Sequence, residues 1–94
     1  VVAWHRHKIQ HDYWCCLQGS FKVGLAEDNG DFEFIYLSER NPRTIHIPPG
    51  IYHGYMALEP NSILLYYMDQ VYDPSDEYRA EVGAFGDEWS IPNK

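Results

Sequence analysis

The sequence is short of positive charge. Seven Lys and Arg stand against fourteen Asp and Glu, for a formal net charge of −7. That balance argues against nucleic-acid binding, which needs a basic footprint. It leaves room for an anionic small ligand, because a few local cations can hold one phosphate. Long apolar runs are also lacking: none reaches the roughly 20 residues of a transmembrane helix, and no signal-peptide pattern is present. Cysteine is limited to the adjacent pair Cys15-Cys16. Neighbours on a strand point to opposite faces, so a bridge between them would be strained. Both read as buried thiols in a reducing compartment, and a cytoplasmic location is the expectation. Internal repeats, low-complexity segments and long helical periodicity are absent too. Val1 is not an initiator methionine, and the chain opens on what reads as strand, which leaves upstream strands open.

What is present is aromatic and strand-like. A chain of 94 residues predicts one domain, 1–94, with a thin core that often needs partner burial. Aromatics make up 16% of it, more than surface positions require, which suggests a ring-lined cavity, a subunit interface or both. Residues 1 to 7 read as strand, 8 to 12 as a polar turn, and Tyr13 to Gln18 as a strand apolar on both faces. Phe21, Val23 and Leu25 alternate with Lys22, Gly24 and Ala26. Asp28-Asn29-Gly30-Asp31 is the strongest hairpin signal, and Phe32 to Leu37 returns as strand. Further strands are expected over Arg43 to Ile47, Ile51 to Leu58 and Ser62 to Asp69, with Pro48-Pro49-Gly50 as a rigid turn. Pro74 to Ala80 is expected to form one helical turn. Seven or so short strands at close spacing predict an all-β sandwich or barrel. On Ser62 to Met68 the set Leu64, Tyr66, Met68 and the set Ile63, Leu65, Tyr67 face opposite ways. One face can line the interior; the other needs a second layer or a second subunit, and a homodimer is the expectation.

The chemistry gathers in two stretches, Trp4 to Trp14 and Pro48 to Gly54. His5 and His7 share one strand face, and His53 follows the Pro-Gly turn. We read the two stretches as walls of one pocket. Taken singly, His11 and His46 read as hydrogen-bonded structural residues. Tyr13, Trp14 and Tyr55 read as core or interface rings. Arg6 and Lys8 point to the opposite face, as solvated charges. The acidic run Asp73 to Glu77 reads as a solvated face. Asp12 has three readings: metal ligand, imidazole partner or turn cap.

The pattern His-x-His, four residues, Asp, six residues, Gly, and later Pro-x-Gly-x-x-His resembles the two motifs of the cupin superfamily, with Asp12 in place of the usual Glu. In metal cupins those positions, here His5, His7, Asp12 and His53, bind one divalent transition metal; three imidazoles and a carboxylate suit iron, manganese, nickel or zinc. A longer resemblance runs over nearly the whole chain. Ile47-Pro48-Pro49-Gly50-Ile51-Tyr52-His53-Gly54-Tyr55, Leu65-Tyr66 and Tyr72-Asp73-Pro74-Ser75-Asp76-Glu77 resemble the dTDP-4-dehydrorhamnose 3,5-epimerase family. That resemblance implies a cupin-type jelly-roll barrel of short antiparallel strands, usually a dimer, acting without metal or other cofactor on a nucleotide-linked 4-keto sugar. It implies His5 as the base that removes a proton beside the ketone, and Tyr66 as the acid that returns one on the opposite face. It implies His53 as a pocket histidine and Tyr72 as the ring packed on the nucleotide base.

The chain departs from that family in places. Val2-Ala3-Trp4-His5 stands where the family has Arg-Gly-Leu-His, so a phosphate-binding arginine is gone, and Asp12 replaces a lysine. The family's N-terminal strands are absent, and its base-orienting aspartate has no visible counterpart on this tail. His7 replaces a polar residue and is added to the substrate-binding set with His53 and Tyr72. The sequence therefore predicts a keto-sugar epimerase or isomerase without a cofactor. The alternatives are a metal-binding cupin, oxygenase or isomerase, built on His5, His7, Asp12 and His53, and a non-catalytic sugar-binding cupin.

Overall fold

The computed structural model describes residues 1–71 and 73–90. Its strands are β1 (Val2–His7), β2 (Asp12–Gln18), β3 (Ser20–Ala26), β4 (Phe32–Ser38), β5 (Thr44–Ile47), β6 (Tyr52–Ala57), β7 (Ile63–Met68) and β8 (Glu77–Arg79). They form a five-stranded sheet in the order β4-β3-β6-β1-β8 and a three-stranded sheet in the order β5-β2-β7. Every ladder is antiparallel. The turn at Asp28 to Asp31 joins β3 to β4 as expected, and their register runs unbroken from Ser20↔Ser38 to Ala26↔Phe32. Gly30 takes φ +94° there, a conformation that costs glycine nothing.

Alternation along the strands decides where the core lies. Trp14, Cys16, Phe21, Val23, Leu37 and Ile47 point between the sheets and form the main core. Trp4, Ala26 and Trp89 form a second cluster, with Phe34, Tyr52 and Phe85 packed against it. Trp4 and His5 are neighbours on β1, so β1 sends one side chain to this outer cluster and the next into the interior.

Two expectations are corrected. The all-β, antiparallel cupin-type architecture is observed, but the two sheets are not closed into a barrel. Among the described residues no ladder joins them; core side chains pack between them, and Asp12 of one sheet reaches His53 of the other. Between β4 and β5 the pairing falls to one isolated bridge, Ser38↔Asn41, just before Pro42, which has no N–H to donate. At the other side β8 carries three residues, all committed to β1. The helical turn expected over Pro74 to Ala80 is instead a 3-10 turn, Pro74–Asp76, followed by β8. The Asp73 side chain caps the turn by accepting from the Ser75 amide. The chain then pairs with β1 in the register His7↔Glu77, Arg6↔Tyr78, His5↔Arg79, and strand pairing there replaces further helix.

Candidate functional site

Both sheets contribute to one cavity of about 260 Å³. From the larger sheet come His5 and His7 of β1, His53, Gly54 and Tyr55 of β6, and Glu77 of β8; from the smaller sheet come Asp12 and Trp14 of β2, and Tyr66 and Met68 of β7. Strand register explains the gathering. His5 pairs with His53 across β1 and β6, while Asp12 pairs with Met68 and Trp14 with Tyr66 across β2 and β7. The sequence reading thus placed His5, His7, His53 and Tyr66 correctly on one pocket. Tyr72 lies outside the described residues. Tyr66 is 57% exposed, at the open edge, whereas His53 is 6% exposed.

Each histidine has a tautomer set by its partner. His5 Nδ1 lies 2.9 Å from Glu77 Oε1. The carboxylate can only accept, so Nδ1 donates and Nε2 keeps its lone pair. Glu77 faces His7 in register and sits diagonally from His5 on the same sheet face. Burial pushes the Glu77 carboxyl up, but the His5 hydrogen bond and the Arg79 charge outweigh it and hold the group below its usual range. His7 Nδ1 donates to the Asp76 carbonyl at 3.1 Å, and His53 Nδ1 donates to the Ile51 carbonyl at 3.2 Å. Burial pushes the His53 imidazole down to about 4; Asp12 and the Ile51 carbonyl oppose this, while His7 and His5 add to it. Asp12 Oδ2 lies 3.4 Å from His53 Nε2 and 4.0 Å from His7 Nε2. Its other oxygen accepts from Gln10 Nε2 at 2.6 Å.

Asp76 underpins this arrangement. Its carboxylate accepts from the amides of Lys8, Ile9 and Gln10 at 2.8–3.2 Å. Burial would raise that carboxyl; the three amides outweigh it and keep it below the usual range. The acidic run read as a solvated face is therefore in part structural: Asp76 is buried and Glu77 reaches His5. Sequence reasoning missed Glu77, Asp76 and Gln10. The local sequence carried only one signal, two acidic residues directly after the Tyr-Asp-Pro turn.

Arg6, His11, Tyr13 and His46 fall outside this cavity. Arg6 is on the opposite face of β1, as expected, but it is not simply solvated. Its guanidinium lies 4.8 Å from the Tyr52 ring and 5.6 Å from that of Tyr78, and it pairs with Asp28. His11 and His46 share an N···N hydrogen bond of 2.8 Å, with their rings within 10° of parallel; Tyr13 stacks on His46. Trp14 and Tyr55 pack edge to face in the core, as expected. The Trp14 indole N–H, like that of Trp4, is buried with no protein partner among the described residues.

A family model described as FdtA, "WxcM-like, C-terminal", matches residues 3–88. The chain belongs to this FdtA/WxcM-like family. "Probable low-salt glycan biosynthesis epimerase Agl13" of Haloferax volcanii is 35% identical over 81% of this chain and 54% of its own length. A dTDP-4-dehydrorhamnose 3,5-epimerase of Mycobacterium tuberculosis is 31% identical over 73% of this chain and 37% of its own, in line with the resemblance read from the motifs. Among solved structures, the sugar 3,4-ketoisomerase QdtA from Thermoanaerobacterium thermosaccharolyticum, crystallised with TDP, superposes with a TM-score of 0.75 at 26% identity, over 85% of this chain and 58% of its own. The chain spans about half the length of the first curated relatives that it matches. FdtA/WxcM-like membership therefore accounts for the fold and for the two sheets that frame the cavity.

Proposed function

We propose that this FdtA/WxcM-like domain epimerises or isomerises a nucleotide-linked keto sugar by proton transfer beside the carbonyl. One observation carries the reading: His5, held by Glu77, lines the cavity in one sheet, and Tyr66 lines it from the other. With Nδ1–H donating to Glu77, the His5 Nε2 lone pair is available to take the proton from carbon beside the ketone. Glu77 then stabilises the imidazolium, as an orienting carboxylate does. The enolate left behind is reprotonated from the Tyr66 side. The proton lost and the proton gained balance, so the reaction needs no redox cofactor. Glu77 fills the role of the orienting carboxylate that the tail did not reveal. His7 and His53 stand as substrate-binding groups beside the dyad, and Tyr72 as the base-packing ring. The relatives' names support the substrate class: an epimerase, and a ketoisomerase crystallised with TDP.

The test is solvent exchange. A panel of 4-keto sugar nucleotides is incubated in deuterated water and followed by NMR. Deuterium should enter at the carbon beside the ketone, and exchange should fall about 10²–10⁴-fold in His5→Ala. Tyr66→Phe should retain exchange and impair inversion. Binding without exchange would instead favour a non-catalytic sugar-binding cupin.

A homodimer accompanies this reading. On β7 the side chains of Ile63, Leu65, Tyr66, Tyr67 and Met68 are all exposed large hydrophobics, and β7 is an edge strand. A second copy would cover them, and sedimentation at micromolar concentration showing only monomer would reject it. No helix among the described residues is long and apolar enough to cross a membrane, and Cys15 and Cys16 are free thiols. The thiols support a reducing, cytoplasmic setting, which a fluorescent fusion would check.

A further inference from the structure

The cavity is short of positive charge for a nucleotide-linked substrate. It is lined by two carboxylates, Asp12 and Glu77, and by no Lys or Arg. A diphosphate facing those carboxylates alone would be repelled. In such a substrate the diphosphate joins the sugar to the nucleoside. With the sugar at His5, it must therefore lie where the cavity opens. The exposed lining residues are Val2, Tyr66 and Met68, so the opening is on the side of β7 and β8, each the last strand of its sheet. One cation stands there. Arg79 of β8 pairs with His5 across β1, as Glu77 pairs with His7. Directly opposed residues on neighbouring strands share a face, so Arg79 is on the His5 side of the sheet. Tyr78, between them, meets Arg6 on the outer side. The Arg79 guanidinium lies 3.4 Å from Glu77 Oε1, an oxygen that already accepts from His5, and the side chain is 70% exposed. A guanidinium has five N–H donors; among the described residues that single long contact is all that the Arg79 side chain makes, and the rest of its fork is open at the rim. Other cations are committed elsewhere: Arg6 to Asp28, Lys22 to the Glu88 carbonyl, Arg40 to Glu59 and Arg43 to the Tyr36 carbonyl.

We propose that Arg79 binds the diphosphate of the nucleotide-linked substrate at the mouth of the cavity and is the residue that sets the preference for a nucleotide-linked sugar over a free one. The inference rests on the keto-sugar reading for what occupies the cavity. The planar guanidinium fork meets two phosphoryl oxygens at once, which a lysine ammonium does not. An exposed, singly bonded guanidinium is free to turn from Glu77 to an incoming anion without unpacking the fold. β8 then has two tasks on one face, two residues apart: Glu77 holds the base, and Arg79 holds the nucleotide. Fixing the diphosphate at Arg79 sets the sugar against His5, the neighbour of Arg79 across the ladder. Arg79 touches no reacting atom and is a binding and specificity residue.

The test is binding without turnover. The affinity of the chain for TDP is measured by calorimetry at low and high salt, with circular dichroism confirming that each variant is folded. Arg79→Ala should weaken TDP binding about 10–10²-fold and flatten its salt dependence. Arg79→Lys, which keeps the charge and loses the fork, should recover only part of the loss. Arg40→Ala removes the same one charge from an exposed pair with Glu59 and should leave the affinity unchanged. In the solvent-exchange assay Arg79→Ala should raise KM and largely keep kcat, a split that a mere disturbance of Glu77 would not produce. Equal TDP affinity in wild type and Arg79→Ala, or equal losses in Arg79→Ala and Arg40→Ala, overturns the inference; solvent exchange by the wild type then leaves the proton-transfer reading standing. A folded wild type that binds no TDP overturns it as well. TDP binding that depends on Arg79, with no exchange on any keto sugar, supports the inference and rejects proton transfer.

Discussion

At the scale of single residues, the separation between His5 and Glu77 matters most. A bond of 2.9 Å between an imidazole and a carboxylate does two things at once. It turns the ring so that Nε2 faces the cavity, and it favours the protonated imidazole once a proton has been taken. Glu77→Gln keeps the shape and removes the charge. We expect proton exchange to slow, by less than the about 10²–10⁴-fold cost of losing the base itself. Single-turnover rates, compared with His5→Ala, check this. The residue scale is also where the sequence was only half legible. His5, His7 and His53 announce themselves by spacing along strands, and Tyr66 by its motif. Glu77 does not, because its meaning depends on β8 lying beside β1, a pairing across 72 residues that no local pattern encodes.

At the scale of elements the legibility is greater. Strand alternation and turn chemistry are local, so β4 and β7 were read to within a residue or so of their observed limits, Phe32–Ser38 and Ile63–Met68. What failed was the next level: whether sheet edges meet, and whether the tail coils or pairs. Both depend on contacts between distant segments. The β1–β6 contact shows how tightly one such pair is set. A Cβ on Gly54 would lie 2.8 Å from the Val2 carbonyl oxygen and press on the Ala3 side chain. Gly54→Ala should therefore force β1 away from β6 and destabilise the fold by about 1–3 kcal/mol. It should also disturb the facing of His5 and His53, which pair in that ladder. Urea denaturation gives the first effect; a slower solvent exchange of the substrate proton gives the second.

At the scale of the whole molecule, the residues after β8 act as a seal. Trp89 and Phe85 pack on Trp4, with ring centroids 5.4 and 5.3 Å away. Asp87 fixes this segment by accepting from the Gly83 amide at 2.8 Å, the Phe85 amide at 3.2 Å and the Trp89 indole at 2.7 Å. Burial would raise the Asp87 carboxyl, but these three donors outweigh it and hold the group below its usual range. Its contribution to stability is thus present above the unfolded-state value of about 3.9. It is lost as the pH falls through the lower folded-state value. We expect Asp87→Asn to lower the urea midpoint at pH 7 and to narrow its gap from wild type on acidification to pH 3. An unchanged gap across that range would assign the seal to the rings alone.

The edge strand β7 has a consequence for the life of the protein in a crowded cell. Ile63-Leu64-Leu65-Tyr66-Tyr67-Met68 is six residues long, uncharged, free of proline and rich in β-forming side chains, with one row of backbone groups unpaired. Segments of that make-up are the seeds of stacked, fibril-like assemblies. A second copy laid against β7, as in the proposed dimer, would therefore guard the chain from itself as well as finish the cavity wall at Tyr66. A newly made copy would then be at its most vulnerable in the interval before its partner arrived.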